Sequence, residues 1–255
     1  MVDRIPALLP GRGGAKYTLR NKPDAKIALF YQNDDAGRDY GNGFKRGLGP
    51  ENTAKMVIAE TTYEPTDPTI DSQIVKLKSS GANVLFMNAI PKQAAQAIRK
   101  IGQIGWKPDL FFLSAVSTSV SSVLKPAGFE YSKGIISSYS FKDPNDPQWK
   151  DDKDVQDWHA FMKKYFPDGN LEDQLIVYGY VVAEATVQVF KQCGDDLTRE
   201  NVMKQAVNLD VSLPMLLPGI KLKTSPTDYY PIEAMRLQRF NGETWQLFGD
   251  TIGND

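Results

Sequence analysis

Ile27-Ala-Leu-Phe-Tyr31, the turn Gln32-Asn-Asp-Asp-Ala-Gly37 and a helical period over residues 38–48 form the stretch that decides the fold. The first five residues are apolar or aromatic throughout, as a strand covered on both faces requires. The unit recurs, with short apolar runs at 56–59, 84–87, 110–113 and 135–138 alternating with helical patterns at 70–79, 92–104 and, more weakly, 119–124. Such alternation predicts an α/β fold built on a parallel sheet with helices on both faces. Ile70, Ile74 and Leu77 share one helix face, and Ala94, Ala97, Ile98, Ile101 and Ile104 another. Asp67-Pro68 reads as a helix start, and Gly81 and Gly105 as stops. Right-handed crossovers from a central first strand give the order 2-1-3-4-5.

On either side of this region the pattern changes. Residues 1–21, with Pro6, Pro10, Gly11, Gly13 and Gly14, read as an irregular lead-in and partial helix. After Phe141 the loop Lys142-Asp-Pro-Asn-Asp-Pro147 marks a boundary, and helices follow at 155–166, 174–191 and 199–207 with no strand between the first two. Val155, Trp158, Phe161, Met162 and Tyr165 form one apolar face; Leu175, Tyr178, Val182, Thr186 and Val189 form another. Both faces call for burial. Few strands remain to cover them, because the chain closes with only a hairpin, 233–240 and 244–248, turned at Asn241-Gly242.

Composition narrows the function. The 255 residues carry 30 Lys and Arg against 31 Asp and Glu, so no single-sign field steers the chain to nucleic acid or to an anionic membrane. No apolar run reaches the roughly 18 residues of a membrane span. With one histidine, His159, and one cysteine, Cys193, the sequence offers neither a zinc ligand set nor a nucleophile pair, and the acidic loop 143–154 lacks the ligand spacing of a calcium loop. Gly37, Gly41 and Gly43 sit too far into the helix for a dinucleotide fingerprint, and no Gly-Lys-Ser phosphate loop occurs. The expectation is a protein with no catalytic residues, no metal and no cofactor.

In an open parallel sheet, ligands bind beyond the carboxyl ends of the strands where the strand order reverses. Here that point lies between the first and third strands, which singles out loops 32–37, 88–90 and 114–119 together with Tyr139 and Ser140. The candidate ligand-binding residues are Asp34, Asp35, Ala36, Asn88, Ala89, Ile90, Ser114, Val116 and Tyr139. Each also has a plain reading, since Asp, Asn and Ser at strand ends commonly cap helices and shape turns. Asp34-Asp35 suits a ligand ammonium group, a metal or a helix cap; a phosphorylated receiver domain is excluded because Asn88-Ala89 stands where its acceptor Asp belongs.

Asn21-Lys-Pro-Asp-Ala-Lys-Ile-Ala-Leu-Phe-Tyr-Gln-Asn-Asp-Asp-Ala-Gly-Arg-Asp-Tyr40 resembles the opening of the second lobe of branched-chain amino-acid ABC transporter substrate-binding proteins. Residues 93–107, Gly134-Ile-Ile, 142–147, Tyr178-Gly-Tyr180 and 219–229 resemble further segments of that family in the same order. The resemblance implies the type I periplasmic-binding-protein fold, a ligand held between two lobes, and delivery of that ligand to ABC permease subunits from the periplasm by a monomer. It places residues 22–140 plus 230–249 in the ligand-binding lobe and 141–229 among helices of the other lobe, whose opening half and export signal are expected upstream. Two departures bear on the ligand: Ala36 stands where the family usually has an aromatic residue, and residues 114–116 lack the carboxylate that receives an amino acid's ammonium group. The implied ligand is therefore a branched-chain amino acid or a related small carboxylate, aromatic ones included. The alternative function is a ligand-sensing module of a signalling receptor with the same fold.

Overall fold

The computed structural model describes residues 8–171 and 173–253. In chain order the elements are α1 (Leu8–Asn21), β1 (Ile27–Gln32), α2 (Asp35–Leu48), α3 (Pro50–Met56), β2 (Val57–Tyr63), α4 (Asp71–Ser79), β3 (Val84–Asn88), α5 (Pro91–Gln103), β4 (Leu110–Leu113), α6 (Lys125–Ala127), α7 (Phe129–Ser132) and β5 (Ile136–Tyr139). There follow α8 (Lys153–Tyr165), α9 (Gln174–Cys193), α10 (Arg199–Ala206), β6 (Asp210–Val211), β7 (Leu222–Lys223), β8 (Ala234–Phe240) and β9 (Trp245–Gly253). The chain divides into two compact units, one of residues 8–139 with Arg236–Asp250, the other of Ser140–Met235 with 251–253.

The first unit holds a seven-stranded sheet in the order β2-β1-β3-β4-β5-β8-β9. Strands β1 to β5 are parallel, and β8 adds antiparallel to β5, with Tyr139 opposite Arg236. The 2-1-3-4-5 order follows from right-handed crossovers, since β1 is buried on both faces and must have neighbours on both sides. One face carries Phe30, Leu85, Met87 and Leu113 against Ile74, Leu77, Ala94, Ile98 and Ile101 of α4 and α5. On the other, Phe86 touches Tyr40 and Phe44 of α2 and Phe112 of β4, with ring centroids 4.3–6.2 Å apart.

Of the stretch 1–21, read as an irregular lead-in and partial helix, residues 8–21 form a helix throughout. Its glycines, which argue against a helix on propensity, permit a helix contact without side chains between the backbones. A Cβ on Gly11 would come within 2.5 Å of the Phe44 amide nitrogen, and one on Gly47 within 2.8 Å of Arg12 Cα. Asp67-Pro68 does not start a helix. Asp67 Oδ2 accepts from Glu64 N at 2.9 Å and closes a turn, and α4 begins only at Asp71. Strand β2 runs four residues beyond the expected 56–59, and Pro50 opens the short α3 in front of it. The helix expected at 119–124 is a single π turn, Val120–Leu124, whose preceding Ser119 accepts from Ser122 N at 3.2 Å. Gly81 and Gly105 end α4 and α5 with φ of 78° and 64°, a conformation that glycine adopts without strain.

Among the described residues of the second unit, α8, α9 and α10 accompany the two-stranded antiparallel pair β6-β7. Val189, Cys193 and Leu209 make a small core with Val202 and Ala206. The apolar faces read from the sequence are only partly covered. Val155, Trp158 and Met162 are buried while Phe161 and Tyr165 are exposed, and on α9 the buried residues are Val177, Val181 and Val189 while Leu175, Tyr178 and Val182 face outward. A two-residue β-pair offers too little apolar surface to cover both faces of a twenty-residue helix. Buried polar groups fix the start of this unit. Lys142 Nζ lies 2.9 Å from Asp152, the N-cap of α8, and 2.7 Å from Asp154, and Asp143 accepts from Gln174 Nε2 at 2.7 Å at the start of α9.

Candidate functional site

The loops after β1, β3 and β4 leave the sheet at its carboxyl edge on the two sides of the β1/β3 switch. After β1, Asp34 is the N-cap of α2: Oδ1 accepts from Gly37 N at 2.8 Å, and Oδ2 accepts from Gln32 Nε2. Gly37 is required here because a Cβ would sit 2.0 Å from the Gln32 carbonyl oxygen. Asp35, with its side chain 98% exposed, pairs with Arg38 at 2.7 Å. Ala36 is exposed beside them.

After β3, Asn88 is half-buried, Ala89 is buried and Ile90 is exposed immediately before Pro91 opens α5. The loop is held at three points. Ile90 N donates to Tyr63 Oη at 2.9 Å, Ala89 O accepts from Ser117 Oγ at 2.5 Å, and Ser114 N donates to Met87 O at 2.9 Å. Tyr63 in turn donates to Gln32 Oε1 at 3.2 Å, which carries the network back to the cap of α2. Burial and the nearby Asp34 charge raise the Tyr63 hydroxyl above its ordinary pKa, so it stays protonated and donating.

Beyond β4, Ser114 is 1% exposed, and among the described residues its Oγ has no hydrogen-bond partner. Leaving a hydroxyl unpaired in such a place costs about 1–3 kcal/mol. Val116, two residues on and 52% exposed, sits in the short 3-10 turn Ala115–Ser117. The Ala115 backbone N–H hydrogen-bonds the hydroxyl of Tyr40, which burial holds above its usual pKa and which stacks on Phe86 at 5.3 Å. Tyr139 stands one strand further along, buried at the end of β5.

Of the nine residues singled out in the sequence, Asp34, Asp35 and Ala36 sit together on the first turn of α2. Ala89 is tied to Ser117 by the serine hydroxyl, Ile90 is tied to Tyr63, and Ser114 N bonds Met87 O just before Asn88, while Tyr139 is set apart by its strand. Sequence reading missed Tyr63 and Tyr40 and reached Ser117 only as part of loop 114–119; these three hold the loops in place. Tyr40 lies one helical turn after Ala36, so helical spacing points to it. Tyr63 closes an alternating, β-branched run, Glu60-Thr-Thr-Tyr63, that extends β2 to the carboxyl edge.

The sequence matches the periplasmic binding protein family over residues 10–244. The chain belongs to that family. Among solved structures it is similar to a branched chain amino acid ABC transporter protein from Thermus thermophilus with bound valine, at 13% identity and a TM-score of 0.82, covering 97% of this chain and 65% of that one. A leucine binding protein from Thermotoga maritima matches at 13% identity and a TM-score of 0.74, covering 97% and 66%. A solute binding protein from R. palustris in complex with 4-hydroxybenzoate matches at 14% identity and 0.77, covering 97% and 65%. This periplasmic binding protein chain thus spans about two thirds of the length of these structures. No curated protein sequence matches it. Among the described residues, no helix of this family member is long and apolar enough to cross a membrane.

Proposed function

We propose that this chain is part of the solute-binding component of an ABC transporter. In this reading it captures a branched-chain amino acid or a related small carboxylate, aromatic ones included, in the periplasm and presents it to the permease subunits. The observation that carries the reading is the cross-tied set of loops at the β1/β3 switch point in a periplasmic binding protein, where an open parallel sheet offers its ligand crevice. The fold is also that of proteins crystallised with valine, 4-hydroxybenzoate and benzoate, which supports a small carboxylate as the solute.

Asp34, Asp35 and Ala36 would border the solute from α2, with Asn88, Ala89, Ile90, Ser114, Val116 and Tyr139 forming the rest of this wall. Residues 22–140 with 230–249 act as the ligand-binding lobe, and 141–229 as helices of the other. Isothermal titration with valine, leucine, isoleucine, benzoate and 4-hydroxybenzoate tests the reading. Binding of at least one at micromolar Kd is expected, and absence of heat with all five would overturn it.

A further inference from the structure

We propose that the solute of this crevice is a carboxylate without an ammonium group, and that Ser114 is a specificity-determining residue for its oxygens; the inference rests on the solute-receptor reading above. An ammonium group has three donors and needs acceptors, best of all a carboxylate. Both carboxylates of the wall are already engaged. Asp34 spends Oδ1 on Gly37 N and Oδ2 on Gln32, and Asp35 pairs with Arg38 on an exposed turn. Residues 88–90, 114–119 and 139–140 contain no acid at all.

What the wall offers instead is donors. Among the described residues the Ser114 hydroxyl has no acceptor, and the Tyr40 hydroxyl takes the Ala115 N–H and so keeps its own hydrogen to give. Two O–H groups, that of Ser114 and that of Tyr40 bonded to the next residue, Ala115, suit a group that only accepts, which an ionised carboxylate does and an ammonium group cannot. The exposed side chains of Ile90 and Val116 supply apolar surface for the hydrocarbon part. The Ser114 hydroxyl is covered in the structure, so contact with a solute requires local movement of the side chains over it.

The test is titration calorimetry on the full chain, with folding checked by a cooperative melt, using two matched pairs. Leucine and 4-methyl-2-oxopentanoate share a carbon skeleton and differ in the ammonium group; benzoate and benzamide share a ring and differ in the carboxylate. The expected result is that at least one of the two acids binds at least about tenfold more tightly than leucine, and that benzoate, if bound, exceeds benzamide by a similar factor. Ser114→Ala should weaken the bound acid about tenfold with the melting temperature unchanged or raised. Leucine binding as tightly as its keto analogue and benzoate overturns the inference while leaving the solute-receptor reading intact, as does a Ser114→Ala chain that binds the acid as well as the parent. Silence with all four compounds and with valine overturns the receptor reading itself. The leucine comparison is made on the unmodified chain, so the outcome does not depend on the variant folding.

Discussion

The backbone N–H of Ile90 donates to the Tyr63 hydroxyl at 2.9 Å, so the last residue of β2 fixes the loop that follows β3, across the intervening β1. Tyr63 is 2% exposed, and its ring also lies 5.2 Å from that of Phe30. Removing only the hydroxyl with Tyr63→Phe keeps the packing and strands the Ile90 N–H and Gln32 Oε1. The expected cost is about 1–3 kcal/mol in a denaturant melt, with faster hydrogen exchange at the Ile90 amide than in the parent.

Asp34 serves as a helix cap. Asp34→Ala should destabilise the first unit by about 1 kcal/mol, and Asp34→Asn should retain most of that, because the amide oxygen still accepts from Gly37 N. Urea melts of the two variants check this. Equal losses for Ala and Asn would show that charge, and not capping geometry, is what Asp34 supplies.

Two glycine substitutions of the same chemistry should have opposite signs. In α2 a Cβ on Gly47 would sit 2.7 Å from Ala15 Cβ and 2.8 Å from Arg12 Cα, whereas in α9 a Cβ on Gly179 meets nothing within 4 Å. Gly179→Ala should stabilise by about 0.5–1 kcal/mol through helix propensity. Gly47→Ala gains the same propensity but must push two helix backbones apart, and a net loss of about 1–3 kcal/mol is expected in thermal melts.

Burial raises the Asp143 carboxyl above the usual carboxylate range, against the N–H of Asn145 and the Gln174 amide, which favour the charged form; the Asp146 charge adds to the rise. A raised acid binds its proton more tightly in the folded state, so this group weakens the fold as pH climbs past the unfolded value of about 3.9, and the full penalty is present above the folded pKa. Asp143→Asn lacks that proton. Its stability relative to the parent should rise from about pH 4 and then level off, as urea melts between pH 4 and 7 would record. Asp152 behaves oppositely: burial raises its pKa, but the Lys142 ammonium and the Val155 N–H outweigh that and lower it. Its stabilisation is present above about pH 3.9 and fades as pH falls through the folded pKa.

The outward face of α9 should bind hydrophobic dye. Tyr178 is 54% and Val182 47% exposed, alongside Leu175 and Phe190. Tyr178→Lys with Val182→Lys should lower dye fluorescence and aggregation while moving stability by less than about 0.5 kcal/mol. An unchanged dye signal would place the apolar surface elsewhere.

Strands β1, β3 and β4 were legible because each is a short run almost wholly apolar, β5 because Ile135 and Ile136 lead into small serines, and Gly81 and Gly105 were legible as helix ends because only their backbone conformation mattered. β2 was read short because Glu60, Thr61 and Thr62 alternate along a sheet edge instead of being apolar throughout. Helix α1 was read only as a partial helix for a related reason: its glycines lower local propensity, and its packing is with Gly43, Phe44 and Gly47, about thirty or more residues away. In the crevice the loops could be named from strand ends alone, and Asp34 as a cap was among the readings. That Ser114 lacks a partner while Asn88 and Ile90 lie in a loop held by Tyr63 and Ser117 could not be read, since a hydrogen bond over distance in sequence depends on where the crossovers bring each loop.

The sequence by itself determined the alternation of strands and helices and hence the 2-1-3-4-5 sheet, because periodicity and turn chemistry are local properties of the chain; the family was legible separately, from the resemblance of segments such as residues 21–40. Tertiary structure alone decided which polar groups of the wall are engaged and which hydroxyls are left to give, and which side of α9 faces out. Those outcomes depend on the packing of distant segments at distances of 2.5–3.2 Å, a scale on which a helix shifted by half a residue exchanges one partner for another.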